Sequence, residues 1–596
     1  MARLPSLPRA LRWVVIVALV LLVGGIVVPL LLAPWLGGRV HAFARSRGLE
    51  ASWKRLAFEW PATVVLRGIA LRHAGTGTLV FRADRAEAAL APRLGSLKPR
   101  VVRLELGGSL IALPAETDGA SEASAVVEAT VRSRVGPAAP RVRAAAEQFV
   151  DALLLPARNL PELQLTDIDV LRGDSLFARL DALTLTHRAG GAQFAAVGLL
   201  AGDQHVPFDA TLQWRADDRL MGRAQFRIPD ERGDESPLAL LFDGRVTQDR
   251  RNGIVRIERG TRLTVGQADV LLEGEVRRVG PRFRLALEME HLSADAVQQS
   301  LPRAVLGPLR DLAVNGSWDW RASADVDVSQ PDSTRFSADV IPHGLTLDAK
   351  DSRLRLTDLA KPFVAAIHIP PDRIVFRDLS DSNENFRPLA RISPLLRDAV
   401  LTNEDGGFYQ HRGFNPGAIQ GAMADNLRAG AFRRGAGTIT MQLARNLYLG
   451  HRRTLSRKGQ EVVMAWVLEH LTGLSKDRLL EIYLNIIEWG PDVHGANEAA
   501  RYYFAKDASE LTLDEALFLT VVIPSPARWR TRVDAHGALR PWARSQMAFI
   551  ARKMADRDWL APEQVPADTA LHVTLRGRAA DLLSPRAAAA ADSVGG

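Results

Sequence analysis

Two carboxylates bracket a run of cations in this sequence. Glu404 opens the stretch Glu404-Asp405-Gly406-Gly407-Phe408-Tyr409-Gln410-His411-Arg412-Gly413, and Glu461 closes Arg457-Lys458-Gly459-Gln460-Glu461. Between Asn426 and Gln460 there is no Asp or Glu, while Arg428, Arg433, Arg434, Arg445, Arg452, Arg453, Arg457 and Lys458 all fall there. Those eight positive charges equal the formal net charge of the whole chain, +8. The excess is therefore local. Such a field suits a phosphate-bearing substrate or an anionic membrane surface, and carboxylates beside it suit proton transfer. Arg457 and Glu461 stand at i and i+4, so they share a helix face, with Lys458 adjacent. Each element also has a plainer reading. Glu404-Asp405 could cap a helix, Arg457 and Glu461 could be a surface ion pair, and His411 with Gly413 could build a turn. Thr438, Thr440 and Gln442 could satisfy a helix start. Only their joint occurrence argues for chemistry.

Elements of two kinds must position these groups. From about Arg391 apolar residues recur at helical spacing, over 392–401, 416–429, 438–449, 455–471, 476–485, 495–504, 512–522 and 540–555. The first of these opens on Ser393-Pro394, a cap and first-turn pair. Glu404 then begins the loop that follows. Before this module, from about 52 to 350, the signal is period-two alternation, as in Phe208-Asp209-Ala210-Thr211-Leu212-Gln213-Trp214. Turn residues such as Ala189-Gly190-Gly191 separate the segments. They read as strands of a long, mostly antiparallel sheet with one apolar face. Two helical interruptions are expected, at 141–155 and 294–312, and a loop rich in Ala, Ser, Gly and Pro at 116–139. The tail beyond Leu560 reads as mostly flexible.

The 596 residues allow several domains, and 47% hydrophobic with 24% charged content is globular. No cysteine is present, so neither disulfides nor thiol chemistry enter. The positive balance invites a nucleic-acid reading, but aromatics are 6% and no nucleic-acid-binding signature occurs. No nucleic-acid partner is expected. Residues 13–36 are apolar and uncharged, long enough to span a bilayer, and follow Arg3, Arg9 and Arg12. An uncleaved anchor with a cytoplasmic amino terminus is expected rather than a cleaved signal peptide. The expected organisation is a cytoplasmic 1–12, a transmembrane helix at 13–36, a β-rich region at 40–385, an α-rich module at 390–557 and a tail at 558–596.

The α-rich module resembles glycosyltransferase family 51, the peptidoglycan glycosyltransferases. Glu404-Asp405-x-x-Phe408-x-x-His411-x-Gly413 matches the first of five ordered motifs, and Gly435-Ala436-Gly437-Thr438-Ile439-Thr440-Met441-Gln442 resembles the second. Arg457-Lys458-x-x-Glu461, Leu479-Leu480-Glu481-Ile482-Tyr483-Leu484-Asn485 and Ala499-Ala500-Arg501-Tyr502-Tyr503-Phe504 match the rest. The continuation Asn485-Ile486-Ile487-Glu488-Trp489-Gly490 resembles the monofunctional branch, and no transpeptidase motif set follows. The second motif departs from the family pattern at Ala436, Gly437 and Met441, which loses two hydrogen-bonding side chains. More weakly, the strands after the anchor resemble AsmA-like envelope proteins. That resemblance implies an apolar-lined trough for lipid; a plain β scaffold is the alternative.

The stronger resemblance implies a lysozyme-like, mainly α domain that polymerises lipid II into β-1,4-linked glycan with release of undecaprenyl pyrophosphate. Glu404 would be the general base and Glu461 a second catalytic carboxylate that orients the cations. Arg457, Lys458, Thr438, Thr440, Gln442, Arg434 and Asn485 would bind substrate or pyrophosphate. Asp405, Phe408, His411, Gly413, Tyr483, Arg501, Tyr503 and Phe504 would be structural. The family often works with a divalent cation, Mg or Mn, though no ligand cluster in the sequence specifies one. The implied partners are lipid II, the growing glycan strand, the bacterial inner membrane and other cell-wall synthesis proteins, with the bulk of the chain in the periplasm. The rival expectation is a catalytically impaired scaffold, or a lipid- or glycan-binding envelope protein.

Overall fold

The computed structural model describes residues 37–583, apart from 43, 60–61, 94–95, 114–138, 156–159, 189–190, 202–204, 231–232, 370–372 and 450–454. The expected membrane span at 13–36, Arg452 and Arg453 of the basic run, and 584–596 of the tail lie outside the described residues. Among the described residues no helix is long and apolar enough to cross a membrane. The chain divides into two compact units. One comprises Met1–Asp118 and Glu147–Val279, the other Gly119–Ala146 and Gly280–Gly596.

The first unit is a sheet running from β1 (Leu49–Ser52) to β13 (Ala268–Arg277). Pairing there is antiparallel except between β5 (Ser96–Leu113) and β6 (Glu162–Arg172), which run parallel. A parallel neighbour needs a long crossover, and residues 114–161 supply it. Helix α1 (Pro140–Leu153) falls in that stretch, close to the expected 141–155. The expected alternation is plain in β9 (Val206–Arg215), where Asp209, Thr211, Gln213 and Arg215 are exposed while Ala210, Leu212 and Trp214 are half-buried. That apolar face is only partly covered. It leaves a groove of about 310 Å³ lined by Leu183, Phe194, Leu212, Ala224, Leu240 and Phe242, among others.

The second unit begins with the antiparallel strands β14 (Arg282–Ser293), β15 (Val314–Asp327) and β16 (Arg335–Leu347), followed by the hairpin β17 (Phe363–Ile369) and β18 (Arg373–Leu379). The helix expected over 294–312 is three short pieces: α2 (Ala294–Ser300), α3 (Arg303–Leu306) and a single 3-10 turn, Gly307–Asp311. Pro302 and Pro308 are the reason, since each removes a backbone donor and pushes the preceding residue out of helical conformation.

The helices of the module follow: α4 (Pro394–Glu404), α5 (Pro416–Ala429), α6 (Ile439–Ala444), α7 (Leu455–His470), α8 (Lys476–Ile486), α9 (Ala496–Phe504), α10 (Leu513–Val522) and α11 (Pro541–Ala555). Helix α10 is apolar on nearly every side and buried from Glu515 to Val522, so it forms the centre of the core. Thr512 and Glu515 close a capping box at its start. Helix α4 packs on α10 and α11, and α6 packs on α7 and α8. The expected loose tail differs from what is seen: Leu560, Leu571 and Ala579 are buried in the same core, with α12 (Gly577–Asp581).

Candidate active site

Glu404 is the last residue of α4 rather than the first of a loop, and Asp405 is the C-cap. Ser393 does not cap this helix; its hydroxyl donates to the Leu511 carbonyl, while Pro394 takes the first turn. The Glu404 carboxyl accepts from Gln442 Nε2 at 2.9 Å and from Asn403 Nδ2 at 2.7 Å. Gln442 Oε1 in turn accepts from the Tyr483 hydroxyl at 3.2 Å. Glu404 keeps partial solvent access although protein surrounds its carboxyl. Burial pushes that carboxyl above its ordinary value; the bonds from Gln442 and Asn403 and the charge of Arg445 pull it part of the way back. Burial also holds the Tyr483 phenol well above its ordinary value, so it stays neutral and donates. A carboxyl displaced upward is a stronger proton acceptor than an ordinary glutamate.

Asp405 ties the first motif to the second. Its buried carboxylate accepts from His411 Nε2 at 2.9 Å and from the Ile439 backbone N–H, at the first turn of α6, at 3.1 Å. Thr438 caps α6 by accepting from the Met441 N–H at 3.2 Å, and its hydroxyl donates to the Gly413 carbonyl at 2.6 Å. Gly413 sits at φ +87°, and a Cβ there would meet the Trp466 backbone of α7 at 2.9 Å. Only glycine fits that approach. His411 and Gly413 thus hold the loop, and Phe408 is buried beneath it under the Lys476 ammonium.

Glu461, 3% exposed, bonds to Arg457 and lies 3.0 Å from Lys458 Nζ. Its carboxylate is committed to two cations, so it organises them. Lys458 keeps 49% of its side chain in solvent. Burial, then repulsion from Arg445 and Arg457, holds its ammonium below the ordinary value. The glycine-rich second motif comes against it: a Cβ on Gly437 would lie 3.6 Å from Lys458 Nζ. Arg445 links the two halves, since its charge acts on both Glu404 and Lys458. It opens a π-helical turn, Arg445–Leu449, where the sequence pattern has the helix 438–449 continue. Turns of this kind recur at functional sites. Arg445 follows Gln442 by three residues, and that spacing is the available signal.

The model of the transglycosylase family matches residues 372–555. A biosynthetic peptidoglycan transglycosylase of Pseudomonas putida strain F1 is 44% identical over 172 residues, which is 28% of this chain and 72% of that protein. One from Paraburkholderia xenovorans strain LB400 is 41% identical over 167 residues, 28% of this chain and 67% of that protein. The chain belongs to the transglycosylase family. It is a glycosyltransferase, with its family 51 module in the carboxy-terminal part.

Several residues expected to bind substrate in this transglycosylase make contacts within the protein. Asn485 is buried, and its side chain accepts from the Arg387 N–H and donates to the Arg387 and Glu481 carbonyls. It fixes the strand-to-helix connection. Thr440 is buried and donates to Glu469, and Thr438 is the cap described above. Arg434 is exposed and pairs with Asp425. Arg501 is exposed against Asn385 and Glu384, while Tyr503 bonds to the Trp489 carbonyl and, with Phe504, joins the aromatic core. No motif points to the buried Glu469, which pairs with Lys476 at 2.7 Å behind the first motif. The departure at Met441 falls on a core position that is buried, so an apolar side chain suits it. Among the described residues no three His, Asp or Glu side chains are placed to hold a metal ion, so no step is routed through one.

Proposed function

We propose that this transglycosylase polymerises lipid II into β-1,4-linked glycan. Glu404 takes the proton from the attacking sugar hydroxyl as its oxygen bonds to the donor's anomeric carbon. The bond from that carbon to the pyrophosphate oxygen breaks, and the electron pair leaves with undecaprenyl pyrophosphate. Attack opposite the leaving group inverts an α-linked donor to a β-linked product. Lys458 and Arg457, with Arg445 between them and Glu404, offset the charge that develops on the leaving group. The observation that carries this reading is the arrangement at the site: Glu404, a residue with partial solvent access, has its carboxyl held by Gln442 and Asn403, and Arg457 and Lys458 are gathered on the buried Glu461. The names of the relatives support peptidoglycan as the product class.

An anchor at 13–36 would place the module on the outer face of the bacterial inner membrane, where a lipid-linked donor resides. A second activity has support from the groove around Leu212 and Phe242, which suits an extended hydrocarbon chain, as the AsmA-like resemblance implies. The test of the main reading is polymerisation of labelled lipid II by the purified full chain. Wild type yields glycan, and Glu404→Gln drops by about two to four orders of magnitude. Lipid II binding without product, equal in both proteins, would replace the enzyme with a scaffold.

A further inference from the structure

The cations of the site are braced from outside the residues that match the family, at 303–311. Gln460 stands in α7 between Lys458 and Glu461, and it is buried. Its Nε2 donates to the Val305 carbonyl in α3 at 2.7 Å. The carboxamide reaches that carbonyl because residue 307 is glycine. Gly307 lies at φ +54°, and a Cβ on it would come within 2.8 Å of Gln460 Nε2 and 3.0 Å of Oε1. The turn Gly307–Asp311 also packs against the π-helical turn that carries Arg445, and against α7 itself. Both cation-bearing elements therefore rest on one short upstream segment. Strand β16 and the turn before it hold a second helix: Phe336 N–H donates to Gln420 Oε1 at 3.3 Å, and Arg428 pairs with Asp332.

Further along α7, the first-motif loop approaches it at Gly413 and Trp466, and Thr440 of α6 donates to Glu469. The buried amide bond at Gln460 ties the turn of α7 that carries Lys458 and Glu461 to α3. An unmade buried bond of this kind is costly, so the pair holds one geometry.

We infer that Gln460, seated on Val305 through the space at Gly307, is a positioning residue that sets Arg457, Lys458 and Glu461 against the substrate pyrophosphate. This inference rests on the reading under Proposed function. It makes the upstream β-rich part of the second unit a working component of the enzyme.

The test uses the full chain in three variants: Gly307→Ala, Gln460→Ala and the two together. Either single change raises the KM for lipid II about tenfold, and the double change does no more than the worse single one. Shortening Gln460 removes the very group that the methyl added by Gly307→Ala would displace. A loss of folded protein lowers kcat alone and leaves KM in place, so the rise in KM distinguishes positioning from damage. Unchanged KM in both single variants, or losses that multiply in the double, overturns the inference. If wild type makes no glycan, the polymerase reading fails by itself. The brace is then judged by hydrogen exchange. Faster exchange at 457–461 in Gly307→Ala, with α10 unaffected, upholds it, and unchanged exchange there overturns it.

Discussion

The sheet of the first unit and the helical module of the second treat charge in opposite ways. In the sheet, ionisable groups stand on the exposed face and answer to one another. Arg219 and Asp243, 49% and 47% exposed, form a bidentate pair across adjacent strands, and the first cause of each shift is that bond. At four groups of the module burial is instead the first cause: it raises Glu404 and Glu488 and lowers Lys458 and Lys476. A one-sided sheet has no interior in which to place a charge. A core closed around α10 has one, and the candidate site lies at its rim. Pairs like that in the sheet are screened and contribute little, whereas the buried group holds energy that a reaction can use.

The largest break in this comparison should come from Glu461→Gln. It leaves Arg457 and Lys458 without their carboxylate. We expect a loss of about 3 kcal/mol in denaturant unfolding and of about a hundredfold in glycan synthesis. A milder change sharpens the picture from the other side. Gly437→Ser sets a hydroxyl within reach of Lys458 Nζ in ordinary van der Waals space. Lipid II affinity should rise a few-fold, about the worth of one ordinary hydrogen bond, with stability unmoved. The smallest effect belongs to the sheet, where Asp243→Asn should leave the unfolding midpoint of the first unit and glycan synthesis at wild-type values.

What can be read from the sequence follows the same division. Helix α5 is legible to its last residue because Asn415 caps it and Gly430 ends it in left-handed conformation. The strand pattern of β9 is equally plain, since alternation needs no partner to be seen. The expected helix at 294–312 breaks into pieces because its two prolines outweigh its apolar spacing. The roles of Asn485, Thr440 and Glu469 are not legible, for one reason: they depend on Arg387, Glu469 and Lys476, brought near only by the fold. The motif set locates the candidate site, but burial decides which of its side chains are taken up by the core.

Glu404 also carries a cost that can be measured. Its folded value lies above its unfolded one, so the native state binds the proton more tightly and stability falls as pH rises through that interval. Glu404→Gln should therefore unfold at a higher temperature than wild type at neutral pH while losing activity.

The most direct measurement is the pH dependence of kcat/KM for lipid II polymerisation by wild type. A base must be ionised to act, so activity falls as pH drops through the Glu404 value. The account predicts an acid limb centred above the ordinary glutamate range, absent from the residual rate of Glu404→Gln. A limb at the ordinary value, or one that survives in Glu404→Gln, would contradict it.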